Sequence, residues 1–220
     1  LCTDIDRKVV SRPRPGHADL PGAIKYNHLD MRNVLERASA RATAARVAAG
    51  SFFKQLLAAF DIYIYSHVIG IGKVKISSAL LKGIDYPNLI KQAEGSPVRC
   101  IDKTAEGQMI AEIEGAKKKG ESLGGSFEVG AVGLPPGLGS HVSWDKKLDA
   151  RLTFLLMSIP AIKAVEIGAG IENSQANGSQ VHDEIFWEEE KGLHRTTNRA
   201  GGIEGGMTNG EVVWARAYMK

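Results

Sequence analysis

An alanine-rich stretch, residues 39–60, sets the strongest limit on the fold, because a stretch typical of a β-strand follows it at once. Apolar residues recur in it at the spacing of one face of an α-helix: Ala45, Ala48, Ala49, Phe52, Leu56 and Phe60. Alanine permits close backbone packing, so we expect a helix in the protein core. Residues 62–69 are β-branched and aromatic and predict a strand.

The rest of the chain mixes both patterns. Helices are predicted at residues 104–119, with Met109, Ile110 and Ile113 facing inward, and at residues 147–159, with an apolar side of Leu148, Leu152, Leu155, Leu156 and Ile159. Strands are predicted at residues 73–76, 127–132, 164–167 and 212–219. Residues 1–30 and the polar stretch from the 170s to the 190s have the composition of loops. Because strands and helices do not alternate regularly, we predict an α+β fold, in a single domain spanning residues 1–220.

Composition excludes some classes of function. The net charge of +3 is too small to indicate a nucleic-acid-binding surface, although it suits an anionic small molecule if the arginines converge. No run of eighteen apolar residues is present, so we expect no membrane span. Cys2 and Cys100 are far apart and are expected to be free thiols in a reducing, cytoplasmic setting.

The stretch RPGHADLPGAIKYNH, residues 14–28, holds His17 among prolines and glycines. These residues indicate a loop of restricted backbone conformation, without helix or strand. An imidazole on such a loop suits proton transfer, because its charge changes near neutral pH. The alternative is a histidine that only hydrogen-bonds its own turn.

The stretch ERASARATAARVAAG, residues 36–50, resembles a helix start suited to phosphate. Ser39 is placed as the N-cap, with Arg37 just before it and Arg41 in the first turn. Free backbone N–H groups and two guanidinium groups attract an anion. The alternative is an ordinary capped helix with exposed arginines. Arg32 and Arg46 are assigned to solvent or to salt bridges.

Two further stretches have weaker signals. Residues 198–210, NRAGGIEGGMTNG, hold five glycines that would let a ligand approach the backbone, but they match no standard nucleotide-binding spacing and would also suit a flexible hairpin. His182, Asp183 and Glu184 are adjacent, and adjacent side chains point in different directions. We therefore predict no metal site.

Taken together, several segments resemble chorismate synthase: RPGHADLPGAIKYNH, RASARATAARVAAG, GESLGGSFEVGAVGLPPGLGSHVSWDKKLDARL, GSQVHDEI and NRAGGIEGGMTNG. The resemblance implies helices packed with mostly antiparallel sheets. It implies a lyase that converts 5-enolpyruvylshikimate 3-phosphate to chorismate and phosphate by 1,4-anti elimination. It also implies reduced FMN as cofactor, NAD(P)H only if the enzyme is bifunctional, and a homotetramer.

The resemblance implies which residues of this chain form the site, because the family's functional residues lie in motifs that this chain shares. The histidine that lies by the flavin and helps protonate the reduced ring is His17 here. The flavin contacts correspond to Arg37, Ala38, Ser39, Pro160, Ala161, Gly205 and Lys220. Arg41 corresponds to a substrate-binding arginine.

The chain departs from the family in length. It begins at Leu1 without a methionine and ends at Lys220, and the family's G-E-S-H-G segment, whose histidine protonates the leaving phosphate, is missing. We therefore expect a core fragment with negligible lyase activity and weak flavin affinity. The alternatives are a flavin-binding module without chemistry and an oligomerisation core.

Overall fold

The computed structural model describes residues 8–77 and 85–220, which divide into two compact units between Phe53 and Lys54. Cys2 lies outside the described residues, and Cys100 is a free, buried thiol.

The first unit is helical. It contains α1 (Asp19–Tyr26), α2 (Arg32–Ala38), a 3-10 turn (Ala40–Thr43) and the start of α3 (Ala44–Ala58). The prediction that residues 1–30 are all loop is wrong for α1. Pro21 lies in the first turn of α1, where a backbone N–H has no partner within the helix, so the proline does not prevent the helix.

α1 and α2 pack against each other as a helical hairpin. Ala23, Met31 and Val34 form its buried cluster. A Cβ on Gly22 would lie 2.5 Å from Cγ1 of Val34, so the absence of a side chain lets the two helices approach. Only residues 27–31 connect the helices, and such a short connection makes neighbouring helices antiparallel.

The second unit is built on a five-stranded antiparallel sheet of order β2-β1-β3-β9-β4. Its strands are β1 (Tyr63–Ile71), β2 (Val74–Lys75), β3 (Gly125–Val132), β4 (Ile162–Ile167) and β9 (Val213–Met219). These strands match the five predicted from the sequence. The helices together with this sheet confirm the α+β fold.

Two helices cover the β1–β2 side of the sheet: α4 (Tyr86–Glu94), which was not predicted, and α5 (Lys103–Lys119). Ala105 and Met109 of α5 are buried with Cys100. The expectation that Ile113 faces inward is wrong, since it is 39% exposed. Residues one turn apart, Ala105 and Met109, form the buried face instead.

The prediction of a buried core helix is wrong for α3. None of its fifteen residues is buried, and Phe52 is 67% exposed. α6 (Leu148–Met157), which packs on β4, likewise has no buried residue. Helical spacing of apolar residues shows that a helix has an apolar face, but it does not show what covers that face.

Short elements complete the second unit: α7 (Gly170–Asn173), α8 (Gly178–Val181), β5 (Ile185–Glu188), β6 (Gly192–Arg195), β7 (Ile203–Glu204), β8 (Met207–Thr208) and a 3-10 turn (Trp144–Lys146). The expectation of loop for the 170s to the 190s is therefore wrong where α7, α8, β5 and β6 lie. No helix in residues 8–77 and 85–220 is long and apolar enough to span a membrane.

A row of polar side chains crosses four strands of the main sheet at directly opposed positions: His67, Glu128, Arg216 and Glu166. We call these four residues the charged row. Opposed residues point to the same face of an antiparallel sheet. Arg216 Nε lies 3.1 Å from Oε2 of Glu128, and Nε2 of His67 lies 3.6 Å from its Oε1. The row therefore ties β1, β3 and β9 together through side chains.

Candidate functional site

His17 lies in the turn just before α1, and its side chain is exposed. Its Nδ1 lies 3.0 Å from the carbonyl oxygen of Pro15. A carbonyl only accepts hydrogen bonds, so Nδ1 carries a proton and Nε2 is the atom that can take up or release one. The sequence indicated either a hydrogen bond to the histidine's own turn or proton transfer. The hydrogen bond is present and orients the ring, and Nε2 stays available for proton transfer.

The loop around His17 is fixed by an ion pair. Nε and Nη2 of Arg14 donate to the two carboxylate oxygens of Asp19 at 2.8 and 3.0 Å, and the Arg14 backbone N–H adds a third bond. These bonds lower the pKa of Asp19 to about 2. A bidentate pair that spans residues 14–19 restricts every residue between them, including His17.

The predicted phosphate-binding segment follows α2. Ser39 is extended, and its Oγ accepts from the backbone N–H of Arg41, so the predicted N-cap is confirmed. The turn that it caps is 3-10, and α3 continues from it. Arg37, Ala38 and Arg41 are exposed, and neither guanidinium has an ion pair within residues 8–77 and 85–220. By contrast Arg32 binds Asp30 at 2.6 Å, in line with its predicted salt bridge.

The hairpin of α1 and α2 determines where His17 lies relative to Arg37. Its contacts pair residues in opposite directions along the chain, with Ala23 near Met31 and Gly22 against Val34. The start of α1 and the end of α2 therefore lie at the same end of the hairpin. His17 precedes that start, and Arg37 lies at that end.

In the second unit, Ala161 and Lys220 are brought together where β4 begins and β9 ends. The Lys220 backbone N–H donates to the carbonyl of Ala161 at 3.1 Å, and Lys220 Nζ donates to the carbonyl of Ser122 at 2.8 Å. Ala161 is exposed and has a φ of 69°, which is rare for a residue with a side chain. Pro160 precedes it directly.

Gly205 lies elsewhere, in the turn of the β7–β8 hairpin, with a φ of 58°. The carbonyl of the next residue, Gly206, accepts from the backbone N–H of Leu148 at 2.8 Å. Gly205 is thus beside the start of α6, whereas Pro160 and Ala161 follow its end. Ten helical residues span about 15 Å, so the predicted flavin contacts of this unit fall into two groups at opposite ends of α6.

His182, Asp183 and Glu184 do not converge. Asp183 is buried, and its two neighbours are exposed. No group of three His, Cys, Asp or Glu residues suited to a metal ion occurs among the described residues.

Sequence reasoning missed what holds the glycine-rich loop in place. Asn198 donates from its side chain to the carbonyl of Val212 at 2.7 Å and accepts from the Gly202 backbone N–H at 2.7 Å. Its own carbonyl accepts from the indole of Trp214. The signal available was an asparagine beside glycines, which is typical of a turn but does not identify these distant partners.

Comparisons with known proteins agree on one family. A family model described as chorismate synthase matches residues 4–220. Chorismate synthase of Syntrophomonas wolfei subsp. wolfei is 59% identical over 219 residues, which is 100% of this chain and 55% of that protein. Chorismate synthase of Symbiobacterium thermophilum is 56% identical over 97% of this chain and 54% of that protein.

A solved structure described as a crystal structure of chorismate synthase gives a TM-score of 0.86 at 48% identity. It covers 92% of this chain, which in turn covers 62% of the solved chain. The chain therefore spans about half the length of the curated relatives that it matches.

Proposed function

The chain belongs to the chorismate synthase family, and we propose that the whole protein containing it is a lyase that converts 5-enolpyruvylshikimate 3-phosphate to chorismate and phosphate. The observation that carries the proposal is the family match over residues 4–220. The motifs that supplied the site residues lie within that range. The function concerns the whole protein, because this chain covers 55% of the length of its relative from Syntrophomonas wolfei.

Reduced FMN is the proposed cofactor, and several features of the described residues fit it. Arg37 and Arg41 present exposed guanidinium groups before and within the 3-10 turn that Ser39 caps, which suits a phosphate. Gly205 has no atom within 4 Å of where a Cβ would lie, so a ligand can reach its backbone. Ala38, Ser39, Pro160, Ala161 and Lys220 are the other proposed contacts.

The chain's own residues would bind anions and hold a proton. Arg41 would bind the substrate, where a guanidinium matches the geometry of a phosphate or carboxylate. His17, with Nδ1 bonded to Pro15, would hold or release a proton at Nε2. When bound, reduced FMN would supply electron density to the substrate as phosphate leaves.

Other properties are proposed on the same basis. We propose a homotetramer of the whole protein, with NAD(P)H used only if the enzyme also reduces its flavin. Cytoplasmic location is proposed with support from Cys100, a buried free thiol whose pKa is raised by burial.

The test is chorismate formation by the whole protein under anaerobic conditions with photoreduced FMN. We expect turnover by the wild type and a loss of about 10²- to 10⁴-fold in kcat on replacing His17 by Ala. His28→Ala is the matched control, since His28 follows the same helix at its other end. A wild type without turnover, or equal rates for both variants, would contradict the proposal.

A further inference from the structure

Asp183 is a buried carboxylate that the proposed chemistry does not use. It lies between α8 and β5, and its side chain has 0% exposure. Its Oδ1 accepts from the Thr197 hydroxyl at 2.6 Å and from the Arg199 backbone N–H at 2.9 Å. Its Oδ2 accepts from the Ala200 backbone N–H at 2.9 Å. One side chain therefore holds the first residues of the glycine-rich loop.

Burial alone would raise the pKa of Asp183, but the hydrogen bonds that it accepts outweigh burial and hold the pKa below its ordinary value. The group is therefore ionised at neutral pH. An ionised carboxylate accepts stronger hydrogen bonds than a neutral group, so the attachment to the loop is firm.

The hydrogen bonds continue from this attachment to the β7–β8 hairpin. Asn198 lies inside the segment that Asp183 holds, and its side chain accepts from the Gly202 backbone N–H at the base of the hairpin. Gly202 also accepts from Asn209 beyond the hairpin, at 3.0 Å. Both sides of the base are thereby fixed, and Gly205 lies at the turn between them.

Close backbone packing leaves the base of the hairpin little freedom. A Cβ on Gly201 would lie 2.4 Å from Cα of Gly168, and one on Gly202 would lie 2.5 Å from the carbonyl oxygen of Val212. A base packed this tightly transmits a displacement of residues 197–200 to the hairpin rather than absorbing it.

We infer that Asp183 is a positioning residue for the flavin site: by holding residues 197–200, it sets the location of the Gly205 backbone that faces the cofactor. This inference rests on the proposed function. It adds a residue that does not touch the cofactor and acts through the loop. It also gives a role to one member of the His182-Asp183-Glu184 run, whose side chains do not converge on a metal site.

The test compares Asp183→Asn with the wild type in the whole protein, using FMN titration followed by flavin absorbance and fluorescence. Asparagine keeps one acceptor oxygen but turns an amide N–H toward one of the present donors, so one bond is lost and repulsion replaces it. We expect FMN affinity to fall about tenfold, with kcat at saturating reduced FMN within about twofold of the wild type.

Asp102→Asn is the matched control. Asp102 also accepts two backbone N–H groups, those of Thr104 and Ala105, but it caps α5 and is not part of the loop. It should lower the melting temperature without changing FMN affinity. A purely structural role for Asp183 would give the same result for both variants, and that outcome would overturn the inference.

Two further outcomes distinguish a failure of the proposed function from a failure of this inference. If the wild type does not bind FMN, the proposed function itself fails. If Asp183→Asn does not fold, Thr197→Val removes one donor to the carboxylate while leaving the backbone bonds, and FMN affinity unchanged in that variant would overturn the inference.

Discussion

Ala161 adopts a backbone conformation that favours glycine, at a residue proposed to contact the flavin. Its φ of 69° brings Cβ close to the neighbouring carbonyl oxygen, which costs about 1 kcal/mol or more. Strain of this kind tends to occur at functional sites, where the surrounding structure maintains it. Here the bond from the Lys220 N–H to the Ala161 carbonyl helps to maintain it.

Ala161→Gly should raise the free energy of unfolding by about 0.5–1 kcal/mol, because glycine relieves the strain. Denaturant unfolding of both proteins measures the difference. Ala164→Gly, at an exposed position of β4, is the control and should lower stability by a similar amount. Equal losses in both variants would show that the Ala161 backbone is not strained.

The ion pair beside His17 gives a second prediction for single residues. Hydrogen bonds from Arg14 lower the pKa of Asp19 from 3.8 to about 2. A carboxyl with a lowered pKa in the folded state stabilises the fold fully above its unfolded pKa. That contribution should therefore be lost as pH falls from about 4 toward 2.

Carboxyl ¹³C chemical shifts of Asp19 measure this titration directly. Arg14→Gln should return the midpoint toward the ordinary value, whereas Arg12→Gln, at an exposed neighbouring position, should leave it unchanged. A midpoint near 4 in the wild type would contradict the ion pair.

Single residues also show how far the site could be predicted. The motif around His17 indicated either proton transfer or a bond to its own turn, and the structure shows the bond while leaving Nε2 available. Asp183 was considered only for a metal, because its partners lie 14 to 17 residues further along the chain. Hydrogen-bond partners a few residues apart can be recognised from the sequence of a turn. Partners 14 to 17 residues apart meet only because the loop folds back, and the sequence does not show this.

For helices and strands, local sequence patterns predicted the kind of element better than they predicted its burial. The spacing of apolar residues gave α5 and α6 to within a few residues, but α1 and α4 were missed because each has a proline near its start. A proline in the first turn is compatible with a helix, so proline content alone was misleading. The burial expected for α3 failed because it depends on the surroundings of the helix.

The charged row of the main sheet could not be predicted from the sequence, because it also depends on the surroundings of each strand. Its members come from β1, β3, β4 and β9, and only the register of the strands makes them neighbours. Burial alone would raise the pKa of Glu128, but the proximity of His67 and the charge and hydrogen bond of Arg216 outweigh burial, so the pKa is lowered. Glu128 is therefore ionised within the sheet.

Glu128→Gln should lower the free energy of unfolding at pH 7 by about 2 kcal/mol, because Arg216, whose side chain is only 14% exposed, would lose its carboxylate partner. The difference should shrink as pH falls below the ordinary glutamate pKa of 4.5 toward the lowered pKa of folded Glu128, because in that range the unfolded chain takes up a proton before the folded one does. Urea unfolding at pH 7 and pH 4 measures both effects. Glu114→Gln, on the exposed side of α5, should change stability by less than about 0.5 kcal/mol.

At the scale of the whole molecule, long motifs predicted the family where composition could not. A net charge of +3 and an ordinary apolar content exclude few functions. The family match over residues 4–220 confirms the resemblance, and it rests on motifs whose order along the chain is specific. The roles of Arg37, Ser39 and the other contacts stay predictions that depend on experiments with ligand.

The chain by itself should be both inactive and prone to self-association. Large apolar side chains are exposed on two helices, with Phe52 and Phe53 of α3 at 67% and 57% and Phe154 of α6 at 73%. Exposed apolar surface of this kind is normally covered by further protein. We therefore expect the 220-residue chain to sediment above its monomer mass, to bind FMN weakly and to form negligible chorismate.

Replacing Phe154 by Gln should reduce the association, whereas Lys118→Gln, on the charged end of α5, should not. A monomeric chain with robust turnover would contradict the prediction, because these helices would then need no further cover.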